Sequence, residues 1–191
     1  PFLKRWQQDS LDRLVREDLR DLTKISGLEN VATLVHLLPE RIGSPLSVNS
    51  LRGQLEVIHE TIQNYLAALR LCYAVFSVSA YTKKVNRAVT KEKKVYFFDW
   101  TRNEDPAKRF ENYVACELLS WVTLWSDEGL GTFDLRYIRN RAGQECDFVI
   151  VKDDKPWLLL EAKLTHQTFA SHLYHFSQNL DGVPIVQVVR E

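Results

Sequence analysis

The sequence predicts a mixed α/β (α+β) chain: N-terminal helices with a helix-turn-helix, then an αβββαβ core. Three observations carry this. Apolar residues recur at helical spacing over 4–20, 25–38 and 46–69. A strongly helical run, Phe110 to Trp125, keeps Phe110, Val114, Leu118 and Trp121 or Val122 in step. Three runs rich in β-formers, a helical run and one more β-rich run then follow.

Residues 4 to 20 are charge-dense, with Leu11, Leu14, Val15 and Leu19 at the spacing of an amphipathic helix. Ile25 to Leu38 reads as a second helix. Leu28, Val31, Ala32, Leu34, Val35, Leu37 and Leu38 cover much of its circumference, so burial on more than one side is expected. Ser26, with Glu29 three residues on, makes a capping-box pattern at its start. Pro39 to Pro45 is a break. Beyond it Leu51 and Leu55 line a short helix, Val57 falls in a turn, and Ile62, Leu66 and Leu69 line the next helix. The exposed side of that second helix carries His59, Glu60, Gln63 and Asn64, and Ile58 offers it no side-chain cap.

Two strand-like runs come next, Tyr73 to Val78 and Lys94 to Phe98. Between Lys83 and Lys94, six basic residues (Lys83, Lys84, Arg87, Lys91, Lys93, Lys94) face only Glu92. A helix-turn-helix followed by such a hairpin looks like a winged helix with a basic wing. Lys83, Lys84, Arg87, Lys93 and Lys94 on the wing, with His59, Gln63 and Asn64 on the helix, are the candidate DNA contacts, the lysines meeting phosphate. Glu60 and the scarcity of positive charge on the helix keep protein–protein contact open as the other use of this motif.

The most informative stretch is Glu145-Cys146-Asp147-Phe148-Val149-Ile150-Val151, then the polar loop Lys152 to Pro156, then Trp157-Leu158-Leu159-Leu160-Glu161-Ala162-Lys163. It reads as two antiparallel strands, preceded by a strand Phe133 to Arg139 and followed by a helix from about Thr168 to Leu180 and a strand Pro184 to Val189. A turn centred near Asp154 sets Asp147 opposite Glu161, and Lys163 lies two residues along from Glu161. Two carboxylates and an ammonium then converge at the end of an apolar sheet. Such a cluster is unfavourable unless its charge is compensated, and a divalent ion would do so. Mg²⁺ or Mn²⁺ takes oxygen ligands and phosphate oxygens, and Lys163 would orient or deprotonate a water or steady a phosphate. A Glu-x-Lys on a solvated strand face is the plain alternative.

Asp147 and Glu161-Ala162-Lys163 resemble the signature of the PD-(D/E)XK nuclease superfamily, an Asp on one strand and Glu-x-Lys on the next. Cys146 stands where that signature often has proline. The resemblance implies a restriction-endonuclease-like core with Asp147, Glu161 and Lys163 catalytic. It also implies an acidic residue from the preceding helix: Phe110-Glu111-Asn112-Tyr113-Val114 supplies Glu111 as a metal ligand beside Asp147 and Glu161, with Glu117 the alternate. Arg139 and Arg141 are either phosphate contacts or surface charges, and Gln178 is a weaker candidate. His166, His172 and His175 lack a fourth ligand and read as surface residues rather than a zinc site.

From Leu3 to Glu191 the chain resembles the C-terminal portion of a family of prokaryotic AAA+-type ATPases, in which a P-loop domain precedes a winged helix and a nuclease-like domain. The residues that carry this are Leu14-Val15-Arg16-Glu17-Asp18-Leu19-Arg20-Asp21-Leu22, Gly43-Ser44-Pro45-Leu46-Ser47-Val48-Asn49, Phe110-Glu111-Asn112-Tyr113-Val114-Ala115, Glu145-Cys146-Asp147-Phe148 and Leu160-Glu161-Ala162-Lys163. The expected organisation is a helical junction over 1–45, a winged-helix domain over 46–99 and a nuclease-like domain over 100–191. The resemblance implies an ATPase domain in cis. With no G-x-x-x-x-G-K-[ST] in the chain, ATP binding is expected only in that missing domain.

Composition bounds the rest. With 191 residues, 45% of them hydrophobic, the chain has material for one large or two small cores. It begins at Pro1 without a methionine and is expected to be a fragment. No run approaches the roughly 18 apolar residues of a membrane span, so a cytoplasmic protein is expected. Cys72, Cys116 and Cys146 sit in apolar runs and are expected as buried reduced thiols. Zero formal net charge builds in no global attraction to DNA, so affinity must come from local patches. Three uses are consistent with these residues: a metal-dependent DNA phosphodiesterase, a DNA- or protein-binding module, and an oligomerisation or regulatory tail.

Overall fold

The computed structural model describes residues 2–14, 17, 19, 27–82 and 92–190. Among these the chain is mixed α/β, with six α-helices and one six-stranded mixed sheet. The elements run α1 (Phe2–Arg13), α2 (Leu28–Leu37), α3 (Val48–Leu55), α4 (His59–Leu71), β1 (Val75–Ala80), β2 (Lys94–Phe97), α5 (Pro106–Asp127), β3 (Phe133–Arg139), β4 (Glu145–Lys152), β5 (Lys155–Lys163), α6 (Ser171–Asn179) and β6 (Ile185–Val189). No helix among the described residues is long and apolar enough to cross a membrane.

The helices start where their caps allow. The N-cap of α2 is Gly27, left-handed at φ 82° with no side-chain cap; Ser26 of the expected capping box lies outside the described residues. A side chain at position 27 would also collide with the Tyr65 hydroxyl, 2.7 Å from where its Cβ would stand. Glycine alone meets both demands cheaply. Ser47 caps α3 through the amide of Ser50 at 3.4 Å, and α4 starts at Ile58 without a side-chain cap, as its sequence implies. α5 is longer than the periodic run, because Asp105 accepts from the amides of Ala107 and Lys108 and Pro106 opens the first turn.

The sheet order is β2-β1-β3-β4-β5-β6. Neighbours are antiparallel except β1–β3 and β5–β6. The β1–β2 hairpin, expected as a wing, thus extends the sheet that carries the carboxylates, pairing through Ser79↔Arg136 and Ala80↔Tyr137. One apolar core runs from Val31, Leu34, Leu51 and Ile62 through Val78 and Tyr96 to Val114, Leu118, Phe148 and Leu160. A second, smaller core joins Cys146, Val149, Val151 and Leu159 to Leu173 and Phe176 of α6. β4 is therefore covered on both faces, which explains its unbroken apolar run. Buried Asn112 ties α5 to β2: its Oδ1 accepts from Phe97 N at 3.0 Å and its Nδ2 donates to Phe97 O at 2.7 Å.

The β4–β5 hairpin is tighter than the loop expected over Lys152 to Pro156. Lys152 pairs with Lys155 around a two-residue turn, Asp153 and Asp154, at φ 49° and 64°. The register then shifts, for Val151 pairs with Pro156 but Ile150 with Leu158, leaving Trp157 as an extra residue on β5. Such a bulge accommodates Pro156 inside a strand. Without it, Leu160 rather than Glu161 would stand opposite Asp147, and a slip of one residue turns side chains to the other face.

Candidate functional site

Continuing the pair Phe148↔Leu160 by one residue sets Asp147 opposite Glu161, as their spacing predicts. Each carboxylate is held by the backbone of the other strand. Asp147 N donates to Glu161 Oε2 at 3.3 Å, and Ala162 N donates to Asp147 Oδ2 at 3.0 Å. Both residues are 8% exposed. Lys163 Nζ donates to Glu161 Oε1 at 2.7 Å, and its side chain remains about a third exposed. Burial raises the Glu161 carboxyl above the usual range and Asp147 pushes it further, with Lys163 opposing. For Lys163, burial works against the charged form, but the bond to Glu161 and the field of Asp147 outweigh it, and the net shift is upward. Lys163 is therefore an ammonium at neutral pH and a donor rather than a base.

Lys94 requires a correction. Expected on an exposed basic wing, it is 0% exposed. It opens β2, pairs with Pro45, and sends its ammonium among three carboxylates: 3.1 Å from Glu145 Oε1, 3.3 Å from Glu111 Oε1 and 3.7 Å from Asp147 Oδ1. Burial alone would lower its pKa, but Glu111, Asp147 and Glu145 reverse the sign and hold it above an ordinary lysine. Tyr96, two residues along, donates to Glu111 Oε1 at 2.7 Å. Burial, followed by Glu111, holds the Tyr96 phenol well above its usual range. The Glu111 carboxyl is raised by burial and by Asp147, with Lys94 and Tyr96 acting in the opposite sense. Gly43, at φ 82°, lets the chain close over this group: a Cβ there would stand 2.6 Å from Glu111 Oε2.

The cluster thus joins Glu111, Glu145, Asp147 and Glu161 to Lys94 and Lys163, a formal excess of two negative charges. Exposed Arg139 sits at its rim, 4.0 Å from Glu145 Oε2. Of the three expected metal ligands, Asp147 and Glu161 come together while Glu111 is engaged by Lys94 and Tyr96. Among the described residues, no three His, Cys, Asp or Glu side chains are grouped to hold one ion. Lys94, Tyr96, Glu145 and Gly43 are the participants that motif matching misses. Alternation offered a signal, since 94 and 96 share one side of β2 and 145 and 147 are two apart on β4.

The other candidates are scattered. His59, Gln63 and Asn64 are exposed on α4, and His59 and Gln63 line, with Asn49, Arg70 and exposed Lys93, a cavity of about 470 Å³ beside β2. Lys83, Lys84 and Arg87 lie outside the described residues, as does Lys91. Glu117, Arg141, Gln178, His166 and His175 are exposed, while His172 is half-buried with Nε2 3.0 Å from Glu145 O. None of the three cysteines is in a disulfide; Cys146 is buried, Cys72 and Cys116 only partly.

The family described as a domain of unknown function (DUF8612) matches residues 2–101, just over half of the chain, and the chain belongs to that family. The match takes in Gly43, Lys94 and Tyr96 and ends before Glu111, Asp147 and Glu161. No curated protein and no solved structure matches the chain.

Proposed function

We propose that Asp147, Glu161 and Lys163 form a divalent-metal-dependent phosphodiester-hydrolysing site of the PD-(D/E)XK kind, with DNA as substrate. In this reading α3, α4 and the β1–β2 hairpin act as a winged helix, and the chain is the C-terminal part of a prokaryotic AAA+-type ATPase whose P-loop domain lies outside it. The observation that carries the proposal is the reciprocal hold on the two carboxylates: one oxygen of each is fixed by the opposite strand, beside an ammonium that reaches solvent.

The donor set fits the ion. Asp147 and Glu161 offer hard oxygen donors, in a cluster that stays formally negative even with Arg139 counted. Glu111, bonded to Tyr96 and Lys94, is a support for the site rather than a ligand. Bound by Asp147 and Glu161, such an ion would polarise a phosphate and lower the pKa of a water. Lys163, a fixed ammonium, steadies a phosphate oxygen or orients the water, and the exposed His59, Gln63 and Asn64 with Lys93 position duplex DNA without cutting it.

A second reading, a DNA- or protein-binding module without catalysis, draws on Lys94: its own charge compensates Glu111, Glu145 and Asp147. Nicking of supercoiled plasmid in Mn²⁺, beside Lys163→Ala and Asp147→Asn, separates the two. Nicking lost in both variants supports hydrolysis. Duplex binding without nicking by the unsubstituted chain in either ion overturns it in favour of the binding module.

A further inference from the structure

Three carboxylates from two elements, Glu111 of α5 and Glu145 and Asp147 of β4, each come within 3.1–3.7 Å of the Lys94 ammonium. Like charges this close and this buried stay together only around a cation. The side chain arrives from β2, whose place against α5 is fixed by the two bonds of Asn112 to Phe97. Tyr96 completes the hold by donating to the Glu111 oxygen that Lys94 also contacts. An ion bridging α5 to β4 would have to sit where this ammonium already is. Lys163 cannot play the same part, because it engages Glu161 from the more open side, about a third exposed.

Building on the metal-site reading above, we infer that Lys94 is a built-in cation: it excludes a second divalent ion from the Glu111–Asp147 position and confines the site to one, held by Asp147 and Glu161. Lys94 is thus a positioning residue that acts through Glu111 and Asp147. Nothing in its burial allows it to touch DNA.

Calorimetric Mn²⁺ titration of the 191-residue chain tests this through stoichiometry, without reference to activity. The unsubstituted chain and Lys94→Arg should bind one ion, and Lys94→Met should gain a further ion. The gained site should bind at least about tenfold more tightly than any additional site in the unsubstituted chain, since an ammonium a few ångströms away is removed. Adding Glu111→Gln to Lys94→Met should remove the gained ion. Lys94→Met binding the same number of ions as the unsubstituted chain overturns the inference and leaves the Asp147–Glu161 reading standing if that number is one. No ion in the unsubstituted chain but one in Lys94→Met, lost with Glu111→Gln, supports the role of Lys94 and removes the Asp147–Glu161 reading instead. If Lys94→Met does not fold with or without Mn²⁺, the ¹⁵Nζ resonance of Lys94 in the unsubstituted chain decides. A protected Lys94 ammonium signal that survives at millimolar Mg²⁺, shifted or not, supports the inference, and its loss to solvent exchange overturns it.

Discussion

Asp147 and Glu161 each surrender one carboxylate oxygen to the other's strand: Asp147 N donates to Glu161 Oε2, and the amide next to Glu161, Ala162 N, donates to Asp147 Oδ2. The two side chains take up amides at the end of the β4–β5 ladder. Their aim is therefore set by the register of the hairpin rather than by free rotamer choice.

That register depends on Trp157. Inserting one alanine after Trp157 moves β5 along by one residue and places Leu160 opposite Asp147, so the insertion should abolish Mn²⁺ binding, whereas Trp157→Ala keeps the residue count and should retain it. Calorimetry on both variants checks this. Equal affinity in the two would show that the register does not set the site.

The hairpin also marks what the sequence could and could not reveal. Alternation and turn residues located β3, β4, β5, α6 and β6 and the facing of Asp147 and Glu161. A longer loop centred on Asp154 implies the same register; the actual turn is shorter by one residue, and the bulge restores the difference. The burial of Lys94 was not legible, because a lysine beside a run of basic residues looks the same whether its strand is an edge hairpin or part of the main sheet. The parallel β1–β3 pairing, a contact between residues far apart in sequence, brings β2 over the carboxylates. No local pattern encodes it.

Asn112 satisfies both backbone groups of Phe97 from inside the core. Asn112→Ala strands a buried donor and acceptor and should lower unfolding free energy by about 2–4 kcal/mol. Urea denaturation reads this directly; a loss under about 0.5 kcal/mol would mean the pair of bonds contributes little.

Gly43 and Gly182 share a left-handed backbone, at φ 82° and 79°, but only Gly43 faces a neighbour, the Glu111 carboxylate. Gly182→Ala should cost about 1 kcal/mol for backbone strain alone. Gly43→Ala should cost clearly more, roughly 2–3 kcal/mol, because Glu111 must leave its contacts with Lys94 and Tyr96 or the loop must shift. Equal melting temperatures for the two variants would contradict a close approach at position 43.

Burial pushes the Cys116 thiol up to about 11, with Asn112 pulling the other way. The thiolate is then on the order of one part in a thousand at pH 8. Alkylation of Cys116 by iodoacetamide, followed by mass spectrometry, should be slow at pH 8 and rise about tenfold per pH unit toward pH 10. A rate that is flat over this range would place the thiolate pKa well below 11.

The most direct test of the central claim is calorimetric titration of Mn²⁺ into the chain and into the Asp147→Asn, Glu161→Gln double variant, each with and without duplex DNA. The account predicts one ion bound by the unsubstituted chain, more tightly with DNA, and none by a double variant that melts cooperatively. No binding by the unsubstituted chain even with DNA, or binding that survives the double substitution, would contradict a metal site at Asp147 and Glu161.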